Sequence, residues 1–280
     1  MVYKTVLVSL NEIDRLTGLI EFSAELAAAY SAHIVGLYVI PGPAVYPAVG
    51  PYAVPELIDV FTKYFAEQSK NVRDKFEHVM SQNGLSFEWL EIRATVPEVS
   101  RTVSEVGRIA DLVIVSEIDR QADIGVEVEF VANVVMDVGR PVFILPRRAR
   151  NKFKIDQIVC GYNGSKEAAR AIHDALPLLK QAADVRLIWV DPSKSYGAAG
   201  TLPGTDMAES LARHDVKVTA ESMPTTGLDA AEALLTRARD LDAGMVVMGA
   251  YGHSRLREYV LGGATRTALS TMSVPLLMSH

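Results

Sequence analysis

The sequence predicts two consecutive doubly wound α/β domains, in which parallel strands alternate with helices. Short apolar segments recur along the chain and alternate with segments of helical periodicity. The two halves begin alike, because residues 4–11 and 156–163 both form a short apolar segment that ends at an asparagine. The strands are apolar throughout, so they need cover on both faces. This is typical of a parallel sheet between two layers of helices.

In the first half, the predicted strands lie at residues 4–10, 33–40, 86–92, 112–115 and 142–145. A helix after the first strand has apolar residues on one face, at Leu19, Phe22, Leu26 and Ala29. Further helices are predicted at residues 56–82 and 98–109, and Gly84 is suited to terminate the first of these two.

The second half repeats this order, with predicted strands at residues 156–162, 185–190, 216–222, 245–248 and 276–278. The helix after its first strand has apolar residues at Ala168, Ile172, Ala175, Leu176 and Leu179. Helices follow at residues 228–239 and 264–271. Right-handed crossovers would make each half a doubly wound domain with a ligand crevice beyond the carboxyl ends of its strands.

The halves differ most after the second strand. Residues 41–55 are rich in proline and too broken for a helix or a strand. The apolar side chains of this loop suit either a lid or partner-binding surface, or a loop packed on its own domain; they are Val45, Tyr46, Val49 and Tyr52. A basic segment at residues 147–152 separates the halves, so the predicted domains are 1–146 and 152–280.

The composition is that of a globular chain with ample core material, since 49% of the 280 residues are hydrophobic and 22% are charged. A net charge of −6 argues against a general nucleic-acid or anionic-membrane surface. The single cysteine, Cys160, excludes an internal disulfide and lies in an apolar segment. The first residues enter a strand without a signal-peptide pattern, and no apolar segment is long enough for a membrane helix. We therefore expect a cytoplasmic protein.

A stretch near the C-terminus has the features of a phosphate-binding loop. The apolar strand 245–248 is followed by Gly249 and Gly252, and nine residues separate Gly252 from Gly262. A helical pattern then begins after Gly263. Glycines let the backbone approach an anion, and the first turn of a helix offers N–H groups and a favourable dipole.

The pattern Gly-x-x-Gly-x9-Gly resembles the nucleotide-binding loop of the universal stress protein family, in which the last glycine precedes Ser or Thr. Gly263 stands at that position here, and Thr265 is the nearest hydroxyl. With the repeated strands and helices, the resemblance covers both halves. It implies two tandem flavodoxin-like domains, each with a five-stranded parallel sheet. Pairing through the fifth strands would form an internal pseudo-dimer, and a further homodimer is compatible with this arrangement.

The resemblance also implies the nucleotide-binding residues. Asn163 takes the place of an aspartate that contacts the nucleoside, although Asn163 also suits a helix cap. The backbone of Val190 stands where the family contacts adenine. The loop contributes Gly249, Gly252, Gly262, Gly263 and Thr265. Three further residues either neutralise phosphate or face solvent: His253, Ser254 and Arg255.

The first half lacks this loop. Ser116 and Asp119 stand at the positions of Gly249 and Gly252, and no glycine pair follows. Nearby carboxylates, at Asp123 and Glu127, would repel phosphate by about 1 kcal/mol or more per contact. We therefore expect no nucleotide site in the first half.

The resemblance implies a cytoplasmic stress-response protein that binds an adenine nucleotide, ATP with Mg²⁺, as a regulatory ligand in its second half. The alternative is a scaffold that binds no nucleotide and uses both halves to contact a partner protein. The sequence has no Walker loop, no nucleophile elbow and no histidine or cysteine spacing for zinc. No catalytic residue is predicted, so the chain would at most hydrolyse ATP slowly.

Overall fold

The computed structural model describes residues 2–42, 54–118, 125–147, 153, 156–191, 204–225, 227–250 and 263–280, and only the backbone of residues 54–58. The described chain divides into two compact units. The N-terminal unit is Tyr3–Val138, and the C-terminal unit begins at Gly139. The expectations for the proline-rich loop fall at residues 43–53, outside the described residues.

The N-terminal unit contains the strands β1 (Thr5–Ser9), β2 (His33–Ile40), β3 (Phe87–Arg93) and β4 (Leu112–Ser116). They form a parallel sheet in the order β3-β2-β1-β4. Its helices are α1 (Leu16–Tyr30), which follows a 3-10 turn (Ile13–Arg15), α2 (Val54–Gln82), α3 (Val99–Gly107) and α4 (Phe130–Asp137).

The C-terminal unit contains the strands β5 (Val142–Leu145), β6 (Gln157–Gly161), β7 (Asp184–Val190), β8 (Val218–Met223), β9 (Met245–Gly249) and β10 (Leu276–Ser279). The helices are α5 (Lys166–Asp174), α6 (Leu176–Leu179), α7 (Thr205–Ala212), α8 (Ala230–Asp240) and α9 (Gly263–Thr271). The strand order is β5-β10-β9-β6-β7-β8, and every pair is parallel except β5 with β10.

The fifth strands of the two sequence repeats pair with each other, as the resemblance implies. Phe143 of β5 lies opposite Leu277 of β10 in an antiparallel register. Although β5 belongs to the first repeat, it lies in the C-terminal compact unit. The boundary at residues 147–152 stays a prediction, because most of that segment lies outside the described residues.

The alternation of strands and helices confirms the predicted fold class. The inner strands are buried on both faces, as a parallel sheet between helices requires: all five residues of β4 have an exposed fraction of zero. The outermost strands, β3 and β8, are only half-buried. Within the described part of the chain, no helix is both long and apolar enough to cross a membrane.

Candidate functional site

The strand order of the C-terminal unit reverses at β6, which has β7 on one side and β9 on the other. In open parallel sheets, ligands bind beyond the carboxyl ends of the strands at such a point. The structure has a cavity of about 220 Å³ there. Its walls come from the carboxyl ends of β6, β7 and β9 and from the first turns of α5, α8 and α9.

The predicted binding residues that the structure describes all line this cavity; they are Asn163, Val190, Gly249, Gly263 and Thr265. The others lie outside the described residues; they are Gly252, His253, Ser254, Arg255 and Gly262. The fold thus gathers residues that are up to about a hundred positions apart in the sequence. Nucleotide binding by these residues stays a prediction.

Gly249 is required by packing, whether or not a ligand is bound. A Cβ at this position would lie 2.4 Å from the Ala168 nitrogen and 2.5 Å from the carbonyl carbon of Glu167. Helix α5 therefore contacts the bare backbone at the end of β9, which brings the first turn of α5 to the cavity wall. Gly263 differs, because among the described residues the nearest atom to its Cβ would be an Asp229 carboxylate oxygen at 3.9 Å.

Asn163 and Ser165 organise the entry into α5. The Asn163 Oδ1 accepts a hydrogen bond from the Ser165 backbone N–H at 3.1 Å. The Ser165 Oγ in turn accepts from the Ala168 N–H at 3.2 Å, which caps the helix. Asn163 is exposed, and Gly164 between them has a φ of +77°. The cap of α5 is therefore Ser165, and Asn163 holds the backbone of that capping residue.

The two units can be aligned through an equivalent hydrogen bond. The Leu10 N–H donates to the Leu37 carbonyl in the N-terminal unit, and the Tyr162 N–H donates to the Ile188 carbonyl in the C-terminal unit, both at 2.9 Å. Asn11 and Asn163 directly follow the two donor residues. Val39 and Val190 lie two residues after the two acceptors. These four residues are therefore equivalent in pairs.

The paired asparagines have different contacts. Asn11 is buried, with 4% of its surface exposed. Its Nδ2 donates to the Val39 carbonyl at 2.7 Å, and its Oδ1 accepts from the Val39 N–H at 2.9 Å. No hydrogen bond among the described residues joins Asn163 to Val190, and Val190 lines the cavity instead. The side chain of Asn11 therefore covers the backbone of Val39, whereas Asn163 leaves the backbone of Val190 beside the cavity.

A carboxylate also fills a helix terminus in the N-terminal unit. Glu127 accepts hydrogen bonds from the N–H groups of Val99 at 3.0 Å and Ser100 at 2.9 Å, in the first turn of α3. The first turn of a helix is an anion-binding position. The sequence predicted that the charge of Glu127 repels phosphate, and the structure shows its carboxylate capping α3. Asp119 and Asp123 lie outside the described residues.

Glu167 is a cavity residue that the sequence did not single out. It is the second residue of α5, and its side chain is 6% exposed. Its position at the cavity depends on the close contact of α5 with β9, for which Gly249 is the only signal in the sequence. Among the described residues that line the cavity, none is Lys or Arg, so Glu167 makes this wall acidic.

Cys160, one residue before the cavity, is fully buried in β6. Burial raises the pKa of its thiol far above the ordinary value, so the group stays neutral and unreactive in the folded unit. Within the described residues, no group of three or more His, Cys, Asp or Glu side chains is arranged to hold a metal ion.

Comparisons with solved structures show the same fold over the whole chain. A universal stress protein from Archaeoglobus fulgidus DSM 4304 has a TM-score of 0.73 at 16% identity, with 98% of this chain and 95% of that chain covered. A putative universal stress protein from Pseudomonas aeruginosa UCBPP-PA14 has a TM-score of 0.57 at 13% identity, with 99% and 93% covered. At these identities the similarity shows a common fold.

The family comparison concerns the second half. No match was found among curated proteins. A model of the universal stress protein family matches residues 154–280. This segment contains β6 to β10 and the whole cavity. The chain therefore carries a universal stress protein domain at residues 154–280, within a tandem two-domain fold that it shares with the Archaeoglobus fulgidus protein.

Proposed function

We propose that the C-terminal unit binds an adenine nucleotide, ATP, as the regulatory ligand of a cytoplasmic stress-response protein. The observation that carries this proposal is the cavity at the carboxyl ends of β6, β7 and β9. It lies at the point where the strand order reverses, and it gathers every predicted binding residue in the described part of the chain.

The two ends of the cavity suit the two ends of a nucleotide. At the β7 end, the backbone of Val190 can exchange hydrogen bonds with the edge of an adenine ring. At the other end, α9 begins at Gly263 and directs its first N–H groups and its dipole toward the cavity. A Cβ on Gly263 would have no close neighbour among the described residues, so packing against them does not explain this glycine, whereas approach of a phosphate would.

The N-terminal unit supports one site per chain. Asn11 covers the backbone of Val39, which is the equivalent of Val190. A nucleotide would have to displace groups that are already hydrogen-bonded within the unit, so the C-terminal cavity is the better binding site.

Mg²⁺ would accompany ATP in this proposal. Glu167 places a buried carboxylate in the cavity wall, and a triphosphate alone would add several negative charges near it. A magnesium ion held by the phosphates lowers that charge. Among the described residues, no general base is placed for attack on the γ-phosphate, so ATP acts as a bound signal and its hydrolysis is at most slow.

A scaffold that binds a partner protein is the second candidate. One observation favours it: Val60, Phe61 and Tyr64 are large exposed side chains close together on α2. The acidic wall of the cavity, without Lys or Arg among its described residues, also disfavours an anion. Under this alternative the chain would bind no nucleotide.

Mass spectrometry of the purified and then denatured protein tests the proposal, combined with isothermal titration of ATP in the presence and absence of Mg²⁺. We expect one adenine nucleotide per chain, either retained through purification or bound on titration. Two equivalent sites per chain would contradict the contrast between the two units. If no nucleotide is retained and ATP produces no binding heat, the scaffold is the better account.

A further inference from the structure

Glu167 is a buried carboxylate that makes no hydrogen bond with any described residue. Its only charged partner among them is Lys166, whose Nζ lies 3.6 Å from Oε1, beyond hydrogen-bond distance. The Lys166 side chain is 90% exposed, so water screens its charge. Buried carboxylates are normally hydrogen-bonded, because removing one from water is costly. Glu167 lines the cavity, and no donor from the described part of the protein satisfies its carboxylate.

The fold holds this carboxylate in place. Ser165 caps α5 immediately before it, and the backbone of Glu167 lies against Gly249 with no space for a side chain between them. The first turn of α5 is therefore fixed to both β6, which it follows, and β9, which it contacts.

The strand order sets what Glu167 would face in a bound nucleotide. The base end of the cavity lies at β7, beside Val190, and the phosphate end lies at β9 and α9, beside Gly249 and Gly263. Strand β6 stands between β7 and β9, and α5 follows β6. The sugar that joins a base to its phosphates must cross this middle position, where Glu167 lines the wall.

We infer that Glu167 determines specificity for ribose, by accepting hydrogen bonds from the 2′- and 3′-hydroxyls of the bound nucleotide. This inference rests on the proposed function, because it names a contact within the same site. A diol supplies two adjacent donors, which a carboxylate with two oxygens can accept together. Hydroxyl donors satisfy the carboxylate without bringing further negative charge to it. The site therefore selects ribonucleotides over deoxyribonucleotides.

Isothermal titration of the full chain with ATP, 2′-deoxyATP and 3′-deoxyATP, each with and without Mg²⁺, tests this inference. Hydrogen bonds to a charged acceptor are the strong ones, so the wild type should bind ATP about 10- to 100-fold more tightly than either deoxynucleotide. Glu167→Ala should reduce that ratio to about twofold or less. Glu167→Gln keeps one neutral acceptor and should retain a ratio of about 2- to 10-fold.

Glu209→Gln is the matched control. It removes the same charge from the same unit, but Glu209 is an exposed residue of α7 that pairs with Arg213 and does not line the cavity. This variant should keep the wild-type preference for ATP. Thermal unfolding of each ligand-free variant shows that it is folded before it is titrated.

The outcomes separate this inference from the proposed function. A wild type that binds all three nucleotides equally keeps the proposed function and overturns the role of Glu167. That role is also overturned if Glu167→Ala keeps the ribose preference but loses the dependence on Mg²⁺, because the carboxylate would then hold the metal ion. A wild type that binds none of the three overturns both.

Discussion

The side chain of Asn11 and the backbone of Val39 exchange two hydrogen bonds, at 2.7 and 2.9 Å, in the buried interior of the N-terminal unit. The pair joins the end of β1 to the end of β2. In the C-terminal unit, Asn163 instead accepts from Ser165, and a cavity adjoins Val190. The same residue type at equivalent positions thus covers the backbone of Val39 and leaves that of Val190 beside a cavity.

The first prediction concerns this pair. Asn11→Ala removes both partners of the Val39 backbone at a buried position. Two buried polar groups then lack hydrogen bonds, and the N-terminal unit should lose about 2–4 kcal/mol of stability. Hydrogen exchange followed by mass spectrometry checks this, because amides of residues 33–42 should exchange faster in the variant.

Asn163→Ala is the control for that change. Asn163 is exposed, so water can replace its single hydrogen bond to Ser165. We expect a loss of only about 0.5–1 kcal/mol in the C-terminal unit. If amide exchange increases equally in the two variants, the Asn11–Val39 hydrogen bonds contribute no special stability to the N-terminal unit.

The second prediction separates the two described glycines of the loop pattern. Gly249→Ala places a methyl group 2.4 Å from the Ala168 nitrogen, so α5 must move and the unit should lose about 1–3 kcal/mol. Gly263→Ala meets no described atom closer than 3.9 Å and should change stability by about 1 kcal/mol or less. Thermal unfolding of the ligand-free variants measures both.

For nucleotide binding, the informative variant is the one that keeps its stability. Gly263→Ala should weaken ATP binding in a unit of normal stability, because the methyl group occupies space beside the first turn of α9. If ATP binds to this variant as tightly as to the wild type, Gly263 has no role at the phosphates. In that case the glycine pattern reflects helix packing at Gly249, and its glycine at position 263 does not serve phosphate binding.

Most of the fold could be predicted from the sequence, since it depends on local patterns. Apolar segments such as those of β2 and β5 have the bounds that their composition indicates, 33–40 and 142–145. Their burial on both faces leaves few alternative registers. The antiparallel pairing of β5 with β10 could be expected only through the family resemblance, because nothing in either strand specifies its partner.

The candidate site was less predictable, since side-chain direction depends on the following turn. After Asn163, Gly164 adopts a φ of +77° and brings the Ser165 N–H to the amide oxygen. After Asn11 comes Glu12, with a φ of −86°, and the amide turns inward instead. Glu167 was missed for a similar reason, because its place in the cavity wall depends on a contact between two elements far apart in sequence.

The third prediction concerns pH. Burial raises the pKa of the Cys160 thiol, whereas the unfolded thiol ionises at about 8.5. Above that pH the unfolded state releases a proton that the folded state keeps. The associated stability, fully present at lower pH, should therefore fall by about 1.4 kcal/mol per pH unit.

Cys160→Ala removes this component. Urea denaturation of the C-terminal unit at pH 8 and pH 10 should show that the stability difference between wild type and variant changes by about 2 kcal/mol. Since all other groups titrate alike in both proteins, their contributions cancel. Rapid reaction of Cys160 with a thiol reagent in the native protein would contradict its burial.

The last prediction is that the nucleotide site depends on Gly252, which lies outside the described residues. Gly252→Asp copies Asp119 at the corresponding position of the first half. It adds a side chain and a carboxylate beside the phosphates, so both effects oppose binding. Affinity for ATP should fall by about 2–4 kcal/mol, or roughly 30- to 1,000-fold. Isothermal titration measures this change. An unchanged affinity would show that the loop does not take part in nucleotide binding.

The reverse change should create no site in the first half. Ser116→Gly with Asp119→Gly introduces two glycines, but Asn11 still covers the backbone of Val39. Those two hydrogen bonds must break before a base can bind there. Titration of this double variant should therefore show the single site of the wild type, with unchanged affinity. A second binding event would mean that the missing glycines alone, and not the internal hydrogen bonds, keep the first half empty.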